Sequence, residues 1–224
     1  MALVGLEREL DGLSTNLANL GTVGYKRGRS AFHEFSVPRQ SGDVRGVVIR
    51  TNVDFSQGDL ERTGRDLDLA LLGEGFFAVE GPAGEVYTRV GDFHLTPQGV
   101  LVAEDGRPVN WQRRPVAIDP EGERLTIESD GTVRQGSTEL GRLRIVDFAD
   151  RQRLTRDAAG YWVAPPEARQ AVPTAAVHQY ALEGSNGNGI EEMVAMIGVQ
   201  RAFESVARVV SSIEESYRRL TRPF

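Results

Sequence analysis

Three histidines, His33, His94 and His178, are the chain's only imidazoles. A metal centre or a general base would draw on them first. Two ligands on one helix need His-x-x-x-His or His-Glu-x-x-His spacing, so that both rings share a face. Neither pattern occurs, and His94, within GDFHLTPQG, is expected to decorate a strand or a turn. Carboxylates are the second candidate. Asp66 and Asp68 in RDLDLAL stand two apart, which on a strand puts both on one face. Glycoside hydrolysis needs two carboxyl groups opposed across the scissile bond, so solvated strand charges are the expectation for this pair. Gly73-Glu74-Gly75 begins like a nucleotide loop but continues into Phe76-Phe77, and the third glycine of the dinucleotide fingerprint is missing. No Gly-x-Ser-x-Gly nucleophile elbow occurs. Lys26, Arg27 and Arg29 make a short cationic run. It reads as a solvated turn, because a phosphate cradle wants several convergent donors. Phe76 and Phe77 are expected to divide between core and an interface, since a stacking platform for bases would want a basic surround. No residue set is expected to be catalytic, to bind a cofactor or to hold a metal.

The elements that would have to position such residues are better marked. The 224 residues suffice for one large domain or two small ones with a buried core. A net charge of −6, from 32 acids and 26 bases, argues against a nucleic-acid partner. The absence of cysteine excludes thiol chemistry, disulfides and cysteine-ligated metals. No apolar run approaches the ~20 residues of a membrane helix. The N-terminus lacks a basic stretch followed by an apolar core. The expectation is a soluble chain, without membrane insertion, outside the general secretion route.

At the N-terminus Leu3, Leu6, Leu10, Leu13, Leu17 and Leu20 fall at alternating steps of three and four, the seam of an amphipathic helix. Gly12 weakens that helix by ~1 kcal/mol relative to alanine, and Gly21 and Gly24 supply a stop. The pattern returns at Met196, Val199, Phe203, Val206, Val210, Ile213, Tyr217 and Leu220, with Ile190, Met193, Val194 and Ile197 widening its start. This predicts a helix from about Gly189 to about Arg219, preceded by Ser185-Asn186 as cap or turn and followed by Pro223. Between the helices, Gly46–Phe55, Gly75–Gly81, Glu85–Val90, Gly99–Gly106, Arg124–Val133 and Gly141–Phe148 read as strands separated by Pro and Gly turns. Ala164–Thr174 reads as a connecting loop. The fold class is α+β: an antiparallel β-rich central domain inserted between N- and C-terminal amphipathic helices that pair as a coiled-coil-like stalk. Residues 1–30 hold the first helix and its turn, 31–180 the β-rich domain and 181–224 the second helix. The two helices can pair with each other inside a monomer, or with other copies.

Three blocks then carry a resemblance. NLANLGTVGYKR (Asn16–Arg27) resembles the N-terminal signature of bacterial flagellar rod and hook proteins. Leu69–Val109 resembles their central Gly-x-Gly-Phe-Phe and Tyr-Thr-Arg-x-Gly-x-Phe blocks. Leu182–Val210 resembles the C-terminal block that opens Leu-Glu-x-Ser-Asn-x-Asn. The chain is thus similar to the flagellar basal-body rod family, of the FlgF/FlgG-like branch. The short link between Phe35 and Val47 lies slightly nearer the FlgF type.

The resemblance implies a structural subunit that packs with its own copies in a helical array, and with other rod and hook axial proteins, as a shaft across the periplasm. It implies export by the flagellar type III apparatus without a cleaved signal, which suits a chain free of disulfides. It implies no enzyme activity, no cofactor, no nucleic acid and no membrane insertion. The seams and the resembling blocks mark as assembly contacts Leu10, Leu13, Asn16, Leu17, Asn19, Leu20, Gly24 and Tyr25. At the other end they mark Asn186, Met193, Met196, Gln200, Phe203, Val206, Val210, Ile213 and Tyr217. The NLANLGTVGYKR turn is expected to end the first helix and redirect the chain to the β domain, with Gly21 and Gly24 permitting the bend and Tyr25 as a wedge. Family members usually carry about ten more residues before the position of Leu10, so the helix here is expected to be short or the chain start trimmed. Gly187 and Gly189 are expected to loosen the start of the second helix. The rival readings are a carbohydrate-active β domain using Asp66, Asp68 or Glu74, with no leftover segment to host a wall-cutting extension, and a monomeric binding module on a helical stalk.

Overall fold

The computed structural model describes residues 2–37, 44–113 and 118–220, with side chains described at these positions except 2, 31–50, 113 and 220. Pro223 and the side chains of His33 and Leu220 lie outside the described residues. Contacts divide the chain into two compact units, one of Met1–Leu20, Arg27–Asp54 and Gly187–Phe224, the other of Gly21–Lys26 and Phe55–Asn186.

The first unit contains the two helices. Helix α1 spans Ala2–Ala18 and helix α2 spans Gly189–Leu220. The 3.6-residue periodicity set both, and α1 stops two residues before the last seam leucine. There the Asn19 amide bonds back to the Thr15 and Asn16 carbonyls and the chain turns. The cap of α2 is Asn188, whose Oδ1 accepts from the Ile190 amide at 3.0 Å and the Glu191 amide at 3.4 Å. Of the expectation that Ser185-Asn186 serve as cap or turn, the cap is corrected, because the Asn186 side chain is instead bonded to Ser56. Glu191 and Glu192 in the first turn, and Arg218 and Arg219 in the last, complement the helix dipole. The helices pack on each other. Asn16 meets Glu192, while Leu6 and Leu10 share a groove with Val199 and Phe203, so the pair runs antiparallel. A long antiparallel hairpin, Gly28–Val37 with Val44–Val53, completes this unit in continuous register. The sequence boundary at residue 30 assigns most of that hairpin to the β-rich region, whereas contacts group it with the helices.

The second unit is antiparallel β throughout its described ladders. Its largest sheet orders the strands Thr155–Arg156, Trp162–Val163, Gly84–Thr88, Phe76–Gly81, Ile145–Phe148 and Gln170–Ala171. A four-stranded sheet orders Leu125–Ile127, Thr132–Gln135, Thr138–Leu143 and Trp111–Arg113. The expected strand Arg124–Val133 is two strands, because Asp130-Gly131 turns inside it, with Gly131 at φ +87°. The expected strand Gly141–Phe148 likewise divides, into Thr138–Leu143 and Ile145–Phe148.

Phe76 and Phe77 are both buried, which corrects the expectation that one would face an interface. Adjacent strand residues point to opposite faces, and here both faces are covered. Phe77 packs edge-on to Phe93 in the aliphatic core with Leu69, Leu71, Val79 and Leu143. Phe76 joins an aromatic cluster with Phe55 and Phe148, which reaches Tyr87 and Trp162.

Candidate assembly surface

The carboxylates weighed as candidates for chemistry all pair with arginines in the second unit. Asp66 lies in a turn and Asp68 forms an isolated bridge with Asp92 just before the strand Leu69–Leu72, so the two do not share a strand face. Asp66 meets Arg124 at 2.8 Å, and buried Asp68 meets Arg65 at 2.9 Å. Their separation follows from the turn at Arg65, whose carbonyl accepts from the Asp68 amide. Glu74 pairs with Arg151 at 2.7 Å, and the hydrogen bond from that guanidinium holds its carboxyl below the ordinary range. Arg151 also grips Asp147 through two bonds of 2.8 and 2.9 Å. Burial alone would raise Asp147, but the bonds from Arg151 and the Phe148 amide outweigh it and pull its carboxyl down. A general acid needs the opposite shift. His94 is exposed on the strand Phe93–Leu95, and among the described residues no cluster of three His, Asp or Glu could hold a metal ion.

The cationic run is not a solvated turn. Lys26, the chain's single lysine, is 1% exposed and bonds Glu183 at 2.6 Å. Arg27 and Arg29 belong to the first unit and meet Asp54 at 3.2 and 3.5 Å. The sequence carried no local sign of the Lys26 pairing, because its partner stands 157 residues away.

Several residues expected as assembly contacts have roles inside their own unit. Asn16 is buried in the first unit: its amide nitrogen donates to Glu192 at 3.1 Å and to the Gly28 carbonyl at 2.8 Å, and its oxygen accepts from the Gly28 amide. Asn19 donates to the Thr15 carbonyl. Gly24 sits at φ +65°, where a Cβ would meet the Arg89 backbone at 2.8 Å. Gly21 has open space around it and no left-handed φ, so only Gly24 requires glycine. Tyr25 is buried under the Arg156 guanidinium, 4.8 Å from its ring centre.

The remaining residues expected as contacts lie on the helices. Leu10, Leu13, Leu17 and Leu20 are half-buried, as are Met196 and Val206 on α2, and Val199 is buried. A groove of about 280 Å³ between the helices is lined by Leu6, Leu10, Val199, Gln200 and Phe203. Farther along α2 the same stripe runs on uncovered: Val210, Ile213 and Tyr217 are 42%, 50% and 66% exposed. Ile190, Met193, Val194 and Ile197 are exposed as well, three and four apart on a second stripe.

Paired helices whose apolar stripe stays exposed among the described residues, and a second unit of antiparallel β-sheet with carboxylates held by arginines, define an α+β protein of structural type. Comparison with known proteins agrees. Residues 70–135 match the family described as flagellar hook protein FlgE/F/G D1 domain, and 178–222 match flagellar basal body rod FlgEFG protein C-terminal. The chain is 37% identical to the flagellar basal-body rod protein FlgF of Caulobacter vibrioides, over 95% of this chain and 90% of that protein. It is 33% identical to FlgF of Escherichia coli over 91% and 87%, and 29% identical to the rod protein FlgG of Bacillus subtilis over 96% and 92%. The chain belongs to the flagellar basal-body rod protein family. It is a structural subunit of the flagellar basal body.

Proposed function

We propose that this chain polymerises through its terminal helices into the periplasm-spanning rod, as a FlgF-type subunit among its own copies and other rod and hook axial proteins. Residues 1–30 and 181–224 supply the assembly segments and 31–180 the β-rich layer. The chain reaches its place through the flagellar type III export apparatus without a cleaved signal, and it catalyses no reaction. The observation that carries this reading is the continuation of the α2 stripe through Val210, Ile213 and Tyr217 with no covering element among the described residues. An exposed apolar helix face marks a partner surface, and a contact between unlike faces of identical copies propagates as a filament. The identities of 37% and 33% to FlgF proteins, against 29% to FlgG, favour the FlgF type. The principal contacts are then the exposed Met193, Gln200, Phe203, Val210, Ile213 and Tyr217, with Leu10, Leu13, Leu17, Leu20, Met196 and Val206 building the helix pair that presents them.

The test is complementation of a strain lacking the gene with the double variant Ile213→Asp/Tyr217→Asp. The expected result is a folded, exported chain with no rods and no swimming. Wild-type swimming from that variant would remove the helix face as the assembly surface.

A further inference from the structure

The two helices of the first unit are unequal, and their antiparallel pairing shows where the shorter one stops. Asn16 of α1 stands level with Glu192 of α2, and Leu10 and Leu6 share a groove with Val199 and Phe203. Each step back along α1 is a step forward along α2, so the Ala2 end of α1 stands level with about residue 207. Helix α2 continues to Leu220. About 13 residues, ~20 Å of helix at 1.5 Å per residue, therefore run past the pair. Burial agrees: Val206 is half-buried, and every described side chain from 207 to 219 is exposed. A helical stretch this short is marginal in water without packing.

The overhang nevertheless keeps the surface of a paired helix. Val206, Val210, Ile213 and Tyr217 continue the four-and-three spacing on which Val199 and Phe203 meet α1. The chain itself carries a surface of the matching kind. The groove of about 280 Å³ between α1 and α2 has an apolar floor of Leu6, Leu10, Val199 and Phe203, and exposed Glu7 and Glu204 stand at its rim. Charge is complementary as well, because the overhang ends on Arg218 and Arg219 beside Tyr217. Arg219 bonds Glu215 one turn back, an exposed pair of the kind that contributes little and can be exchanged. The overhang cannot reach its own groove, since Ile213 lies ten residues beyond Phe203 on the same helix, ~15 Å away.

We propose that residues 208–220 of one copy seat in the α1–α2 groove of a second copy, with Ile213 and Tyr217 on its apolar floor and the terminal arginines toward Glu7 and Glu204. Donor and acceptor are different faces of one chain. The contact is therefore heterologous, and each copy whose groove is filled offers its own overhang onward. This rests on the assembly reading and names both the partner of the exposed α2 face and the surface that receives it.

Two measurements test it. In the first, Ile213 is replaced by the photo-crosslinking residue p-benzoylphenylalanine, hook–basal bodies are isolated and irradiated, and the adduct is mapped by peptide mass spectrometry. The expected adduct joins two copies of this chain and falls within 3–10 or 196–204 of the second. An adduct elsewhere on a second copy, or on another axial protein, overturns the groove while leaving assembly through α2 intact. Rods that form no adduct, with residue 213 as open to solvent as in the free chain, remove both readings. The second measurement needs no variant and holds even if the first variant builds no rods. In the dilute wild-type chain, amides of 208–220 should exchange within about tenfold of the unprotected rate, and those of 192–206 far more slowly. Equal protection of the two segments would show that the overhang needs no second copy, and would overturn the proposal.

Discussion

Alanine at Gly24 and at Gly21 should have opposite consequences, although the two glycines stand three apart in one turn. Gly24 sits at φ +65°, and a Cβ there would lie 2.8 Å from the Arg89 carbonyl carbon and the Val90 nitrogen, and 3.1 Å from the Arg89 oxygen. Holding a residue with a Cβ in the left-handed region costs roughly 1–2 kcal/mol. The neighbours are backbone atoms and cannot rotate away, so the segment itself must shift. That shift strains the 2.7 Å bond from the Gly24 amide to the Glu183 carbonyl, and a buried polar group left without its partner costs about 1–3 kcal/mol. Together these put Gly24→Ala at about 2–5 kcal/mol of lost stability. Gly21 has no heavy atom within 4 Å of the added Cβ and no left-handed φ. Gly21→Ala should therefore fall within ~0.5 kcal/mol of wild type, or gain slightly from the stiffer unfolded chain. Urea denaturation read by tryptophan fluorescence suits the comparison, because Trp111 and Trp162 both lie in the β-rich unit that contains Gly24. Equal midpoints for the two variants would refute the argument from backbone geometry.

Other outcomes follow from particular side chains. Val199→Ala, in the buried seam of the helix pair, should lower the stability of the helical unit by about 1–3 kcal/mol, while Val209→Ala, 59% exposed, should stay within ~0.5 kcal/mol; circular dichroism of thermal unfolding compares them. Asp147 has a folded value held below its ordinary one, so its contribution is present above pH ~4 and lost as pH falls through the depressed value. Acid unfolding below pH ~4 should accordingly be less steep in Asp147→Asn than in wild type. Burial, with Glu85 beside it, pushes the Tyr87 hydroxyl up to about 12. Ultraviolet titration should find one tyrosine ionising there, and the stability from keeping it neutral should be complete below pH ~10 and disappear as pH rises through that value.

The helices were legible because their information is local and repeated. The expected span of about Gly189 to about Arg219 matches α2 almost to the residue, and Gly24 announced a turn. Strands rich in β-branched and aromatic residues, such as Phe76–Gly81, were legible for the same reason. What the sequence hid was pairing at long range. Lys26 reads as one member of a basic run, and nothing near it shows that Glu183 neutralises it. Phe76 and Phe77 read as one inward and one outward residue until the second covering layer, from Phe55, Phe148 and Trp162, is seen. Asp66 and Asp68 look like a pair only if the segment is extended, and the turn at Arg65 removes that condition. The Gly28–Val37 strand was missed because its alternation is weak. Among the assembly candidates, Asn16, Tyr25 and Asn186 were marked by motif alone, and each makes contacts inside its own unit.

The central claim is that neighbouring copies cover the α2 face that the described residues leave exposed. The chain contains no cysteine, so Ile213→Cys supplies a single thiol on that face. Its reaction with a maleimide is measured in the purified free chain and in isolated hook–basal bodies built from the same variant. The account predicts rapid labelling of the free chain and strong protection in the assembled rod; equal labelling in both would contradict it.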